Sequence, residues 1–273
     1  METVKLSLKE LLNKTSAKNV LYQRNVLKEY LQILVLDFLY AHPTYSGLIF
    51  YGGSCLAQCY GLPRLSEDLD FVDLKKEVVL INLAEDLKNY FSQKTDLPMR
   101  ATVQKFRVYL KFPILKELGT AKTGESDDLF LKIEIFSTFD SCPKYKVEII
   151  PLFKFNRTVL IKTFDLSTLM ATKIRAILNR SWAKKDVQGN ELIKVKGRDY
   201  FDLMWYLEKV VKPNLDCLGI TQGVLKSKLL KSIERLDKRS IELDLEAFID
   251  NADLIKNLSG SMRDILKRQV ALL

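Results

Sequence analysis

The stretch YGGSCLAQCYGLPRLSEDLDFVDL, residues 51–74, holds two features that bear on chemistry. Gly52-Gly53-Ser54 falls where a short apolar run, LIFY (48–51), meets a segment that reads as a short helix with Ser54 as its N-cap. Such a turn offers backbone N–H groups and a positive dipole end to a phosphate, and glycines let the backbone approach closely. A plain tight turn would use the same residues. Asp68 and Asp70 lie two apart on a predicted strand and so project from one face. Carboxylates that close repel one another unless they are solvated or share a cation. Magnesium takes one or two carboxylates and completes its shell with substrate phosphates. An isolated Asp-x-Asp is commonly a solvated surface pair. Here Leu69 and Phe71 flank it with large apolar residues, and the glycine turn stands upstream.

A third carboxylate is available. In LKIEIF, Leu131, Ile133 and Ile135 form one face while Lys132 and Glu134 point the other way. Glu134 could complete a metal cluster or deprotonate an incoming hydroxyl. A solvent-facing Lys132/Glu134 pair on a half-exposed sheet explains the pattern equally well. In DLSTLMATKIRAIL, helical projection puts Leu166, Leu169, Met170, Ile174 and Ile177 on one stripe, with Lys173 inside it and Arg175 opposite. A lysine so placed snorkels, pairs with a buried carboxylate or meets a ligand. GRDYFDLMWYLEKV begins a helix after Gly197 whose buried stripe is Tyr200, Leu203, Met204 and Leu207, with Asp199 at its edge. Asp199 suits the helix dipole, pairs with Lys173 or positions a substrate base; the spacing fits all three.

His42 is the only histidine, so a Ser-His-Asp triad, an HExxH zinc site or a His-rich metal site would rest on one residue. Chemistry must run on carboxylates, Lys, Arg, Ser or backbone. The four cysteines form no CxxC pair and are expected to be reduced and structural. The net charge of +9 is uneven: from Lys173 to Arg198 there are eight Lys or Arg against Asp186 and Glu191. That segment is a solvated face or a surface for a polyanion, a nucleic acid or a triphosphate.

The elements that would position these residues follow from periodicity. Residues 20–41 predict a helix ending at His42-Pro43. Strands are predicted at 48–51, 69–74, 105–112, 129–136 and 145–150, with an amphipathic helix over 77–93 and a loop at GTAKTGESDD. From Asp165 the pattern is mostly helical, interrupted by SWAKKDVQGNELIKVKG (181–197), a connection long enough to be functional or mobile. The division is therefore 1–164, a core with N-terminal helices, and 165–273, a helical domain carrying Lys173 and Arg198-Asp199. The class is α+β with a mixed sheet, because helices do not separate all the strands. The most apolar window, LQILVLDFLYA, is half a membrane span and contains Asp37, and the N-terminus has no signal-peptide core, so a cytoplasmic protein is expected.

The order GGS, RLSEDLDF, KIEI, LMATKIRAIL and GRDYFDL resembles the AbiEii/AbiGii toxin family, within the DNA-polymerase-β-like nucleotidyltransferases. The resemblance spans about residues 48–206, and its first motif, GGS followed by R-x-S-x-D-x-D, is the specific part. It implies a nucleotidyltransferase-type sheet flanked by helices. It also implies a toxin of a toxin–antitoxin or phage-defence system, with a cognate antitoxin as a partner. By resemblance, Gly53 and Ser54 hold the triphosphate of an NTP, Asp68 and Asp70 bind two Mg²⁺ ions, and Glu134 takes the third-carboxylate place. Lys173 matches the family's motif lysine, which with the Gly-Ser turn would hold the β- and γ-phosphates, and Arg198 with Asp199 match its late Arg-Asp motif. The long basic linker before Arg198 departs from the pattern and favours a nucleic-acid acceptor. The resemblance to a family some of whose members are similar to tRNA nucleotidyltransferases implies an RNA acceptor, tRNA in particular. The rival readings are a catalytically silent nucleotide- or RNA-binding module and a nucleotidyltransferase for a small-molecule or protein hydroxyl. Residues 215–273 predict helices without assignable chemistry.

Overall fold

Residues 31–36 are buried one after another along a single helix, so that helix has no solvent face at its middle and must run through the interior. The computed structural model describes residues 2–15, 19–180, 184–185, 188, 191–193 and 195–273. The chain divides into two compact units, Met1–Phe139 with Val147–Thr163, and Asp140–Lys146 with Phe164–Leu273. Residues 140–146, read from sequence as part of the core, group with the helical unit.

In the first unit α1 (Val4–Lys14) packs on α2 (Val20–Ala41), the helix just described. The Asn19 side chain caps α2 by accepting from the N–H groups of Leu21 and Tyr22, and His42 ends it before Pro43. Then follow β1 (Ile49–Tyr51), α3 (Gly52–Tyr60), β2 (Asp68–Val72) and α4 (Leu80–Lys94). Strands β3 (Arg100–Gln104), β4 (Arg107–Pro113), β5 (Asp128–Phe136), β6 (Val147–Lys154) and β7 (Arg157–Phe164) complete the series. They form one seven-stranded sheet in the order β3-β4-β5-β2-β1-β7-β6. The sheet is mixed, as expected: β1 runs antiparallel to β2 but parallel to β7, and β2 is parallel to β5.

Strand β5 shows why the pattern is readable. Leu129, Leu131, Ile133 and Ile135 are buried on one face, against α2, while Lys132 and Glu134 stay half-exposed on the other. Two strands are harder to read from their residue types. In β3 no side chain is buried, and in β7 Leu160 is exposed between buried Val159 and Ile161. Strands β6 and β7 are joined by Phe155-Asn156, both at positive φ, the geometry of a two-residue hairpin turn.

The second unit begins with α5 (Leu166–Asn179). A two-stranded ribbon, β8 (Lys184–Lys185) with β9 (Glu191–Ile193), lies within the long connection. Helices α6 (Gly197–Glu208), α7 (Gln222–Ile233), α8 (Lys238–Leu245) and α9 (Ala252–Ala271) follow. Helix α6 is the hub, packed on α5, α8 and α9. At its start a side chain on Gly197 would come within 2.8 Å of the Ile241 Cα, so only glycine lets α8 approach this closely. Cys142 and Cys217 are joined as a disulfide, correcting the expectation that all four cysteines are reduced. They lie 75 residues apart, and only the fold brings them together. Cys55 and Cys59 are not bonded to one another.

Candidate active site

The site in the first unit is built on the parallel pair β2 and β5. Their register sets Asp68 beside Lys132 and Asp70 beside Glu134. Strands in a sheet lie about 5 Å apart, so three carboxylates, Asp68, Asp70 and Glu134, share one sheet face. Tyr51 joins them, since β1 places it opposite Asp70. Burial, together with Asp70 and Glu134, pushes the Tyr51 phenol far up, so it stays a neutral hydroxyl.

The turn before α3 is shaped around this face. Gly52 sits at φ +81°, and a side chain there would run into the Asp70 carboxylate. At Gly53 a Cβ would stand 2.8 Å from the Arg64 guanidinium and 3.0 Å from the Ser66 hydroxyl. This explains the spacing of R-x-S-x-D-x-D: Arg64 and Ser66 fold back onto the glycine while Asp68 and Asp70 continue into the strand. Arg64 is buried, and it donates to the Leu65 carbonyl at 2.8 Å. Ser54 is not the N-cap, which is Tyr51. It is fully buried in the first turn, and its hydroxyl donates to the Asp68 carbonyl, tying helix to strand. The early N–H groups of α3 lack intrahelical acceptors by construction.

Two cations already stand among the carboxylates. Lys132 reaches Asp68 at 2.9 Å and Glu134 at 3.0 Å, and Arg107 from β4 meets the same Glu134 oxygen at 2.6 Å. Burial would raise Glu134, but Lys132 and Arg107 outweigh it and hold the carboxyl below its ordinary value. Asp68 is shifted the other way, first by burial and then by Glu67, against the pull of Lys132. Among the described residues no three His, Cys, Asp or Glu side chains are arranged to hold a metal ion. The donor chemistry still fits a hard divalent cation: two carboxylates on one strand, a third on its neighbour, and a turn with no side chain in front of Asp70.

The second unit gathers the remaining candidates. Lys173 is nearly buried and lies 2.8 Å from both Asp199 and Asp202. Of the three sequence alternatives for this lysine, the structure shows pairing with buried carboxylates. Asp199 is not at an edge: it is buried and also accepts from Arg180 at 3.2 Å. Burial opposes its ionisation, yet Lys173, Lys196 and Arg180 hold it far below the usual carboxylate range. The expected stripe of α6 is corrected too, since Met204 and Leu207 are only half-buried whereas Asp202, Phe201 and Tyr206 are buried. Arg198 places its guanidinium 4.4 Å over the Phe248 ring, and its backbone N–H donates to Asp244 at 2.9 Å. Lys196 caps the same helix, and burial followed by repulsion from Arg198 pulls its ammonium down to about 8.

Arg107, Arg180 and Asp202 were not singled out by sequence; Arg64 entered only within R-x-S-x-D-x-D, and Lys132 only as a solvent-facing neighbour of Glu134. A signal existed for Asp202, three residues after Asp199 and hence on the same side of the helix. Of the basic connection, Lys194 lies outside the described residues, as do the side chains of Lys184 and Lys185.

A mixed sheet of this order followed by a helical unit defines a nucleotidyltransferase-type α+β protein. The chain belongs to the family described as nucleotidyl transferase AbiEii toxin, type IV TA system, whose model matches residues 37–273. It is thus a nucleotidyltransferase and the toxin of a toxin–antitoxin pair, which implies an antitoxin partner and a nucleotide substrate. Among solved structures it is similar to MenT4, a nucleotidyltransferase toxin of Mycobacterium tuberculosis H37Rv. That match has 12% identity and a TM-score of 0.59 over 98% of this chain and 88% of the other. JHP933 of Helicobacter pylori matches at 19% identity and a TM-score of 0.50, over 91% and 94% of the two chains. A search of curated proteins gives no significant match. Among the described residues no helix is long and apolar enough to cross a membrane.

Proposed function

We propose that the chain transfers a nucleoside monophosphate from an NTP to an RNA hydroxyl, that of tRNA in particular, releasing pyrophosphate. The observation that carries this is the register of β2 on β5, which sets Asp68, Asp70 and Glu134 on one face beside the Gly52-Gly53 turn. Asp68 and Asp70 are the residues to hold Mg²⁺, with Glu134 in the third place. Two such ions when bound would draw the attacking and leaving oxygens together and take up charge at the reacting phosphate.

The protein's own part is positioning. The backbone N–H groups at Gly53 and Ser54 face phosphate oxygens, and the Ser54 hydroxyl locks that turn to the strand bearing Asp68. Asp70 keeps its place because Gly52 leaves it room. In the second unit Lys173, Asp199 and Asp202 form an ordered knot that fixes Arg180, and Arg180, Lys196 and Arg198 supply positive charge for an anionic substrate. The basic excess from Lys173 to Arg198 supports an RNA acceptor over a small neutral molecule or a protein hydroxyl.

The test incubates the protein with each α-labelled NTP, Mg²⁺ and total tRNA, followed by a gel. Label on tRNA is expected, and D68N/D70N, folded by circular dichroism, should lose it by about a thousandfold or more, as the loss of several kcal/mol requires. Label retained by that variant would misplace the site. Pyrophosphate release without labelled tRNA would move the acceptor elsewhere.

A further inference from the structure

We propose that Lys132 is a built-in counter-cation of the carboxylate face, which holds Asp68 and Glu134 together when no divalent ion is bound and gives way when one binds. The inference rests on the reading that Asp68 and Asp70 are metal ligands, and it adds the device that sets how tightly they bind.

The register creates the device. Lys132 stands opposite Asp68 on the neighbouring strand and two residues before Glu134 on its own, so all three side chains project from one face. Its ammonium lies 2.9 Å from Asp68 Oδ2 and 3.0 Å from Glu134 Oε1, a bridge between the two strands. Side chains on this face are largely withdrawn from water, with 24% of Lys132, 30% of Asp68 and 13% of Glu134 exposed. Unbridged like charges on adjacent strands there would repel.

A divalent cation on Asp68 or Glu134 would seek the same oxygens. An ammonium and a metal ion compete for the same oxygens and their charges repel, so each holds this face less well when the other is in place. Arg107 differs: it approaches Glu134 from β4, on the side away from β2, and can stay. Lysine suits the task, since its point charge rides on a flexible stem that can swing out at small cost.

The test measures Mn²⁺ binding by the electron paramagnetic resonance of unbound Mn²⁺ in wild type, K132M and D68N/D70N, at one ionic strength and without nucleotide. K132M should bind Mn²⁺ about tenfold tighter than wild type, equivalent to 1.4 kcal/mol, at sites that D68N/D70N lacks. It should also melt lower than wild type in EDTA and gain more on adding Mg²⁺, because metal then does what lysine did. In the wild-type chain, acylation of the Lys132 amine, followed by mass spectrometry, should rise severalfold when Mg²⁺ is added. This reading needs no variant to fold.

Equal or weaker Mn²⁺ binding by K132M, with wild type binding normally, would overturn the role of Lys132 and leave the metal reading standing. Absence of binding in both chains would overturn both. Unchanged or lower acylation on adding Mg²⁺ would overturn the displacement.

Discussion

At the scale of single residues, Gly52 is where backbone and chemistry meet. Its φ of +81° and the Asp70 carboxylate against its missing side chain leave no tolerated substitute. G52A should therefore cost about 1–3 kcal/mol in urea denaturation, and it should weaken Mn²⁺ binding because Asp70 must move. Lys196 makes a prediction with a sign. Its ammonium is held at about 8 against 10.5 in the unfolded chain, by burial and by Arg198, Lys173 and Arg180, with Asp199 pulling the other way. Below pH 8 it is charged in both states and the folded protein carries the full burden. Between 8 and 10.5 the folded form sheds its proton first, so stability rises with pH. K196M should then be more stable than wild type at pH 7 by roughly 1–3 kcal/mol, and the difference should fade towards pH 10.5. A constant difference across that range would contradict the assignment.

Elements decide what the residues can do, and they also decided what could be read in advance. Asp68, Asp70 and Glu134 could be picked out because a strand alternates with period two and each stood among large apolar neighbours. Their mutual register could not, since it is fixed by β5 returning to β2 across the intervening α4, β3 and β4. Lys132 was visible beside Glu134, but nothing in one strand shows that it bridges to another. The burial of Asp199 and Asp202 was hidden for a similar reason: α6 is surrounded by α5, α8 and α9, and its polar side is covered. β3 is short and buries no side chain, and β7 carries the exposed Leu160 inside an apolar run, so neither announced itself. The knot of Lys173, Asp199 and Asp202 yields a test at this scale. K173M strands the buried Asp199 and Asp202 carboxylates without their shared cation and should cost about 3–5 kcal/mol, whereas D202A leaves Lys173 paired with Asp199 and should cost much less.

For the whole molecule, charge is the quantity that scales. Two-thirds of the net +9 falls between Lys173 and Arg198. Reversing Lys184, Lys185, Lys194 and Lys196 to glutamate should weaken RNA binding and flatten its dependence on salt, the slope falling by about 0.7 for each single-strand phosphate no longer neutralised. Binding unchanged at all salt concentrations would remove this segment from the acceptor site. The family match begins at residue 37, so α1 and more than half of α2 lie outside it. Yet α2 is buried from Tyr30 to Leu36 and packs on β5 and α4, so the matched region rests on residues outside the match.

The division of the chain into units has a consequence for how the toxin comes into being. The polypeptide passes from one unit to the other after Phe139, after Lys146 and after Thr163, so neither unit is an unbroken stretch. No single cut separates them intact. A fragment ending at residue 163 would carry 140–146 without its partners, and one starting at 164 would lack the piece that meets Asn214 and Cys217. During synthesis Cys142 emerges 75 residues ahead of Cys217, an interval of roughly 4–15 s at ordinary elongation rates. The helical unit closes only after that wait.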